Sequence, residues 1–155
     1  MPGRFVVIGV GSEFRRDDGV ALAVLARLAG RVPAGTELVA SDGEPVALVE
    51  AWDGAGRAVV IDAATGMDGG AGSLRRILVA AGSALPTLPE PARASWHDAG
   101  LTTAIALSRA LNRLPATLIV HLVQVADTGF GQHLSPPVAA SVGPLADAVL
   151  ADLAR

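Results

Sequence analysis

The sequence predicts an α/β fold in three layers: a mostly parallel, five-stranded twisted sheet with helices on both faces. Three observations predict it. Short, nearly continuous apolar runs recur along the chain, as strands buried on both faces read. Between them lie segments of helical period, bounded by Asp, Pro and Gly. No repeat, low-complexity tract or linker interrupts the alternation, so the 155 residues read as one domain, 1–155.

The elements follow in order. Phe5 to Val10 is apolar and closes on Gly9-Val10-Gly11, which suits a first buried strand. Asp18-Gly19 opens an Ala, Leu and Val-rich helix that runs to about Ala29 and stops at Gly30 and Pro33. Glu37 to Ala40 is a brief second strand ending at Ser41-Asp42-Gly43, and Pro45 to Trp52 a short helix with Pro near its start. Arg57 to Ile61 makes the third strand, ending at Asp62. Leu74 to Val79 mixes Arg75 and Arg76 with apolar residues, the composition of an edge strand. A proline-rich, aperiodic stretch from about Ala81 to Trp96 follows, and structureless loops of that length in compact domains are usually functional. Asp98 to Arg113 reads as a helix with Leu101, Ile105 and Leu111 on one stripe, and Thr117 to Val125 as the fifth strand. Ser135-Pro136 is an N-cap with Pro at the first helical position. Val138, Val142, Leu145, Val149 and Leu153 then mark the inner face of a last helix.

Composition excludes several function classes. There is no cysteine, which removes disulfides, thiolate metal sites, iron–sulfur clusters and a cysteine nucleophile. All 12 basic residues are Arg, so neither a Walker-type phosphate loop nor a Schiff-base lysine is available. A net charge of −3 argues against a nucleic-acid partner. Mean hydropathy is +0.47, yet no apolar stretch approaches the 18 or so residues that a membrane span requires. The N-terminus lacks the regions of a signal peptide. The expectation is a cytoplasmic protein, off the membrane and monomeric.

Open α/β sheets gather functional groups beyond the carboxyl ends of their strands. Asp17 or Asp18 stands there after the first strand, Asp42 after the second and Asp62 after the third, while His97 ends the long loop and begins a helix. Two carboxylates and an imidazole suit a borderline divalent metal with open coordination positions. Each also has a plain structural reading. Asp18 suits a helix N-cap, Asp62 a strand terminus, Asp42-Gly43 a turn pair and His97 a local cap. His121, inside a strand, and His133, in a loop, read as structural or peripheral. Gly9-Val10-Gly11 begins like a dinucleotide fingerprint, but Phe14 occupies the place of its third glycine. There is no Gly-x-Ser-x-Gly elbow.

Order and context join these signals. Gly9-Val10-Gly11-Ser12, followed by Asp18-Gly19, resembles the opening of the hydrogenase maturation proteases. Ser41-Asp42-Gly43 is similar to the family's Asp-Gly-Gly turn, and Val60-Ile61-Asp62-Ala63 to its third strand end. Ser95-Trp96-His97-Asp98-Ala99-Gly100-Leu101 resembles its Ser-x-His-x-x-Gly-Leu segment, and Leu134-Ser135-Pro136 the start of its last helix. Two departures stand out: Ser12 replaces the usual Asn, and Glu44 the second Gly of the turn.

The resemblance implies an endopeptidase that removes the C-terminal extension of a nickel-loaded hydrogenase large-subunit precursor. It assigns metal contact and catalysis to Asp18, Asp62 and His97, and substrate contact to Ser12, Asp42 and Gly43. The nickel is expected to arrive with the precursor and to bind the isolated protease weakly. Two alternatives stay open: a metallopeptidase or amidohydrolase of the same fold with another substrate, and a non-catalytic nucleotide or anion-binding module using the amides of Gly9 to Ser12.

Overall fold

The structure, a computed structural model, describes residues 3–79 and 100–154. Among them, β1 (Phe5–Val10), α1 (Val20–Leu28), β2 (Thr36–Ser41), α2 (Pro45–Trp52), β3 (Arg57–Ala64), β4 (Leu74–Val79), α3 (Gly100–Ala110), β5 (Thr117–Gln124) and α4 (Pro136–Leu153) follow one another. The five strands form one sheet in the order β2-β1-β3-β5-β4. Every pairing is parallel except that of β4 with β5. The sequence predicts this alternation and the edge position of β4, where Leu74, Arg75, Arg76 and Leu78 are exposed while Ile77 and Val79 face inward.

The period of two along each strand divides the core into two layers. Val6, Ile8 and Val10 of β1 pack with Leu48, Val49 and Trp52 of α2 and Leu101, Ala104 and Ile105 of α3. Val7 faces the other way, onto Val20, Val24 and Leu28 of α1 and the Val138, Val142, Leu145, Val149 and Leu153 stripe of α4. Trp52 is wholly buried, and its Nε1 donates to Ser108 Oγ at 2.8 Å, which joins α2 to α3 without leaving a polar atom orphaned. Among the described residues, no helix is long and apolar enough to cross a membrane.

Three local expectations differ from the structure, and a fourth lies outside the described residues. The N-cap of α1 is Gly19, not Asp18, because a 3-10 turn over Arg16–Gly19 precedes the helix. Leu111 lies beyond the end of α3 and is 51% exposed. The chain leaves the helix through Asn112, at φ 56°, so the apolar stripe ends with Ile105. The described part of α3 starts at Gly100, and Asp98, the predicted start, lies outside the described residues. β3 continues past Asp62 to Ala64, since Ala63 and Ala64 still pair with Val123 and Gln124 of β5.

His121 has the structural role that the sequence suggests. It is 3% exposed on the α4 side of β5, with Nε2 2.6 Å from Asp152 Oδ2. Arg76 donates to Asp152 Oδ1 through Nε and Nη2 at 3.1 and 2.9 Å. Arg57 Nη1 donates to the Asp152 carbonyl at 2.6 Å. A carboxylate only accepts, so His121 Nε2 carries the hydrogen. This network fastens the last turn of α4 to β3, β4 and β5.

Candidate functional site

β1 is flanked by β2 on one side and β3 on the other. The connection from β1 therefore departs in one direction across the sheet, and the chain after β3 in the other. Such a reversal opens a crevice beyond the carboxyl ends of the two central strands, where α/β proteins place their sites. Asp18 and Asp62 stand at that reversal, Asp18 in the 3-10 turn after β1 and Asp62 within β3 near its carboxyl end.

Asp62 lies in register with Val10, the last residue of β1. It has the parity of Ala58 and Val60, whose side chains meet α2 and α3. Its Oδ1 accepts from the Ala63 amide at 2.8 Å, and the residue is only half-buried. Asp18 is reached differently. Gly11, at φ 152°, brings the chain so close to the 3-10 turn that a Cβ there would lie 1.9 Å from the Asp18 carbonyl oxygen. Glycine is thus required, and the Asp18 carboxyl comes to rest over the end of β1. Its Oδ2 accepts from the Ser12 amide at 2.9 Å.

The two adjacent aspartates have opposite fates. Asp17, fully buried, accepts from the amides of Ala126 and Asp127 at 3.0 Å, the Ser135 amide at 2.6 Å and the Ser135 hydroxyl at 2.8 Å. Burial works against its charge, but these four donors outweigh it and hold the carboxyl below its ordinary value of 3.8. Asp17 thereby ties the loop after β5 and the start of α4 to the turn that carries Asp18. Strand-end position alone offers Asp17 or Asp18 and the motif resemblance points to Asp18; the donors around each one give Asp17 its anchoring role. Ser135 keeps its N-cap position, but its hydroxyl serves Asp17 rather than its own helix.

The Ser41-Asp42-Gly43 turn lies on the same edge. Ser41 Oγ accepts from the Gly43 amide at 3.1 Å and Asp42 Oδ1 from the Glu44 amide at 3.0 Å. Glu44, the departure from the family's turn, is the N-cap of α2 and accepts from the Val46 and Ala47 amides at 3.0 and 2.8 Å. The extra carboxylate is therefore a helix cap. Gly100, the first residue of α3, packs so tightly on this turn that a Cβ would lie 2.0 Å from the Gly43 carbonyl oxygen. The start of α3 is thus held at the carboxyl edge.

His97, the third member of the predicted set, lies outside the described residues. Among the described residues no three His, Asp or Glu side chains gather into a metal-binding group. The amides invoked for anion binding are engaged. Gly9 and Val10 belong to the β ladder, Gly11 donates to the Ser41 carbonyl at 3.0 Å, and Ser12 donates to Asp18. With a carboxylate already on its free donor, this strand end is a poor phosphate cradle.

Comparisons with known proteins agree with this geometry. The hydrogenase maturating endopeptidase HybD from E. coli superposes with a TM-score of 0.80 at 20% identity, over 97% of this chain and 91% of that one. The hydrogenase 2 maturation peptidase from Thaumarchaeota archaeon SCGC_AB-539-E09 gives 0.71 at 19% identity, covering 97% of each chain. The [NiFe] hydrogenase maturation protease HybD from Thermococcus kodakarensis gives 0.66 at 20% identity, over 98% and 99%. At these identities the likeness establishes the fold. No curated protein matches this chain in sequence. The sequence profile of the hydrogenase maturation protease (HycI) family matches residues 36–152, about three quarters of the chain. The chain belongs to the hydrogenase maturation protease family.

Proposed function

We propose that this protease removes the C-terminal extension of a hydrogenase large-subunit precursor, and that it recognises nickel already held by the precursor through Asp18, Asp62 and His97. The observation that carries the reading is the placement of two carboxylates at the strand-order reversal, each presented by a different central strand. Gly100 anchors the start of α3 beside the same edge, and His97 is three positions earlier in the sequence.

In this reading Asp18 and Asp62 supply oxygen and His97 nitrogen to open positions on the substrate's nickel. The Ser12 amide fixes the orientation of Asp18. Asp42 and Gly43 form the substrate-contacting rim, with the turn held by its own side chains. Nickel beside the scissile bond would polarise its carbonyl or lower the pKa of a water. Ligands shared between two proteins make a weak site in each and a strong one in the complex, so metal binding strengthens docking by linkage. In this reading the protein acts as a single-domain monomer in the cytoplasm.

The test is a gel-shift processing assay on the precursor with and without nickel, using protease stripped by chelator and desalted. The expected result is cleavage of the nickel-loaded form alone. Equal cleavage of the nickel-free precursor would remove nickel as the signal. Cleavage of unrelated peptides by a preparation with its own metal would favour an ordinary metallopeptidase.

A further inference from the structure

The chain has three Phe, two Trp and no Tyr. Two of these few aromatic residues, Phe14 and Phe130, are 56% and 81% exposed. They lie on neighbouring loops, those after β1 and after β5, which are sewn together by backbone bonds. Gly131 donates to the Phe14 carbonyl and Arg16 to the Gly131 carbonyl, both at 2.9 Å, and Asp17 donates to the Asp127 carbonyl at 2.8 Å. Arg16 pairs with Asp127 across the same seam. Gly131 adopts φ 146°, a backbone conformation that L side chains rarely adopt, so the seam favours glycine there. The Asp17 carboxylate clamps the loop from beneath at Ala126, Asp127 and Ser135. Exposed phenylalanines on so strongly braced a backbone do not hold the fold together. They are displayed.

Between them lies Arg15, whose guanidinium carbon sits 4.9 Å from the centre of the Phe130 ring. Its neighbour Arg16 is neutralised by Asp127. Among the described residues Arg15 has no carboxylate within ion-pair distance, and its Nε is buried without a hydrogen-bond partner. A stacked, preoriented guanidinium flanked by exposed aromatic rings has the composition of an interface hot spot. Arg15 is also three residues from both Ser12 and Asp18, on the loop that forms one wall of the candidate site.

We infer that Phe14, Arg15 and Phe130 form the docking platform for the precursor segment beside the scissile bond, and that this segment presents an apolar side chain next to a carboxylate. The inference rests on the protease reading above. The rings take the apolar group, and Arg15 takes the carboxylate through its unused donors. The platform is rigid before binding, so little ordering accompanies docking.

The experiment measures kcat and KM for cleavage of the nickel-loaded precursor by the wild-type protein and by Phe130→Ser, Phe14→Ser and Arg15→Gln, with Leu78→Ser as a control. Leu78 is 57% exposed on the edge strand β4, away from the platform. Phe130→Ser and Arg15→Gln are expected to raise KM about tenfold with kcat unchanged, the pattern of lost docking. Phe130→Tyr, which keeps the ring, should restore the wild-type value, and Leu78→Ser should not change it. Added salt should raise KM for the wild-type protein and much less for Arg15→Gln. KM values within about twofold of wild type, or a fall in kcat at constant KM, would overturn the platform and leave the protease reading standing. An equal salt response in wild type and Arg15→Gln would overturn the carboxylate half. A wild-type protein that leaves the nickel-loaded precursor uncut would remove the protease reading, and this inference with it.

Discussion

Asp17→Ala tests whether the aspartate beside the candidate ligand is an anchor. The substitution removes the acceptor of three backbone amides, those of Ala126, Asp127 and Ser135, and of one hydroxyl. Each amide left without a partner in a buried site costs about 1–3 kcal/mol. The Ser135 hydroxyl is the exception, because it can turn back to cap α4. Some water entry relieves the amides, so the expected loss is about 3–5 kcal/mol. For a chain of this size that lowers Tm by on the order of 10 °C. The assay is urea unfolding followed by circular dichroism, with a thermal melt beside it. Asp17→Asn should fall between, since it keeps one acceptor oxygen but turns an NH2 toward donors. A loss below about 1 kcal/mol for Asp17→Ala would refute the anchoring argument. It would also show that the loops carrying Asp18 and Phe130 are held by something else.

Asp62→Asn should abolish precursor processing while changing stability by about 1 kcal/mol or less, because its remaining oxygen still accepts from the Ala63 amide; a loss of several kcal/mol in urea melts would make Asp62 a structural residue instead. Asp42→Asn should reduce processing less than Asp62→Asn in the same gel-shift assay, since the amide oxygen preserves the turn to Glu44. Gly100→Ala sets a methyl against the Gly43 carbonyl and should cost about 1–3 kcal/mol; it should also lower processing by shifting the start of α3, and wild-type stability would show the contact to be slack. Acid should destabilise the protein in two stages. Burial outweighs the attraction of Asp152 and, with repulsion from Arg76, holds His121 below 6.5, so its contribution is complete above pH 6.5 and declines as the pH falls through its folded value. Asp17 and Asp152, both held below 3.8, contribute fully above that value and fail only in stronger acid. Urea midpoints from pH 8 to 3 check this, and a midpoint that rises between pH 7 and 5 would contradict it.

Much of the architecture is visible in the linear pattern. The Phe5–Val10 and Val59–Ile61 runs are apolar on both faces, which only the middle of a covered parallel sheet requires. The charges at Arg75 and Arg76 mark β4 as an edge for the complementary reason. The α4 stripe from Val138 to Leu153 follows the 3.6-residue period because one helix face meets the sheet. Candidate site positions are visible as polar residues at or near strand ends, and the ordered motifs point to the family. Tertiary structure decided what neither pattern nor motif contains. Asp17 and Asp18 are chemically identical neighbours, and only the donors gathered from residues more than a hundred positions away make the first an anchor. Glu44 stands out in the sequence as an added charge in a turn, and only its distance to two amides shows it to be a cap. Phe14 and Phe130 are 116 positions apart (130 − 14). Local chemistry settles the strands and helices, because their periods repeat within a few residues. Which groups meet depends on the folded sheet, which places β1 and β5 on either side of β3 and brings their following loops together.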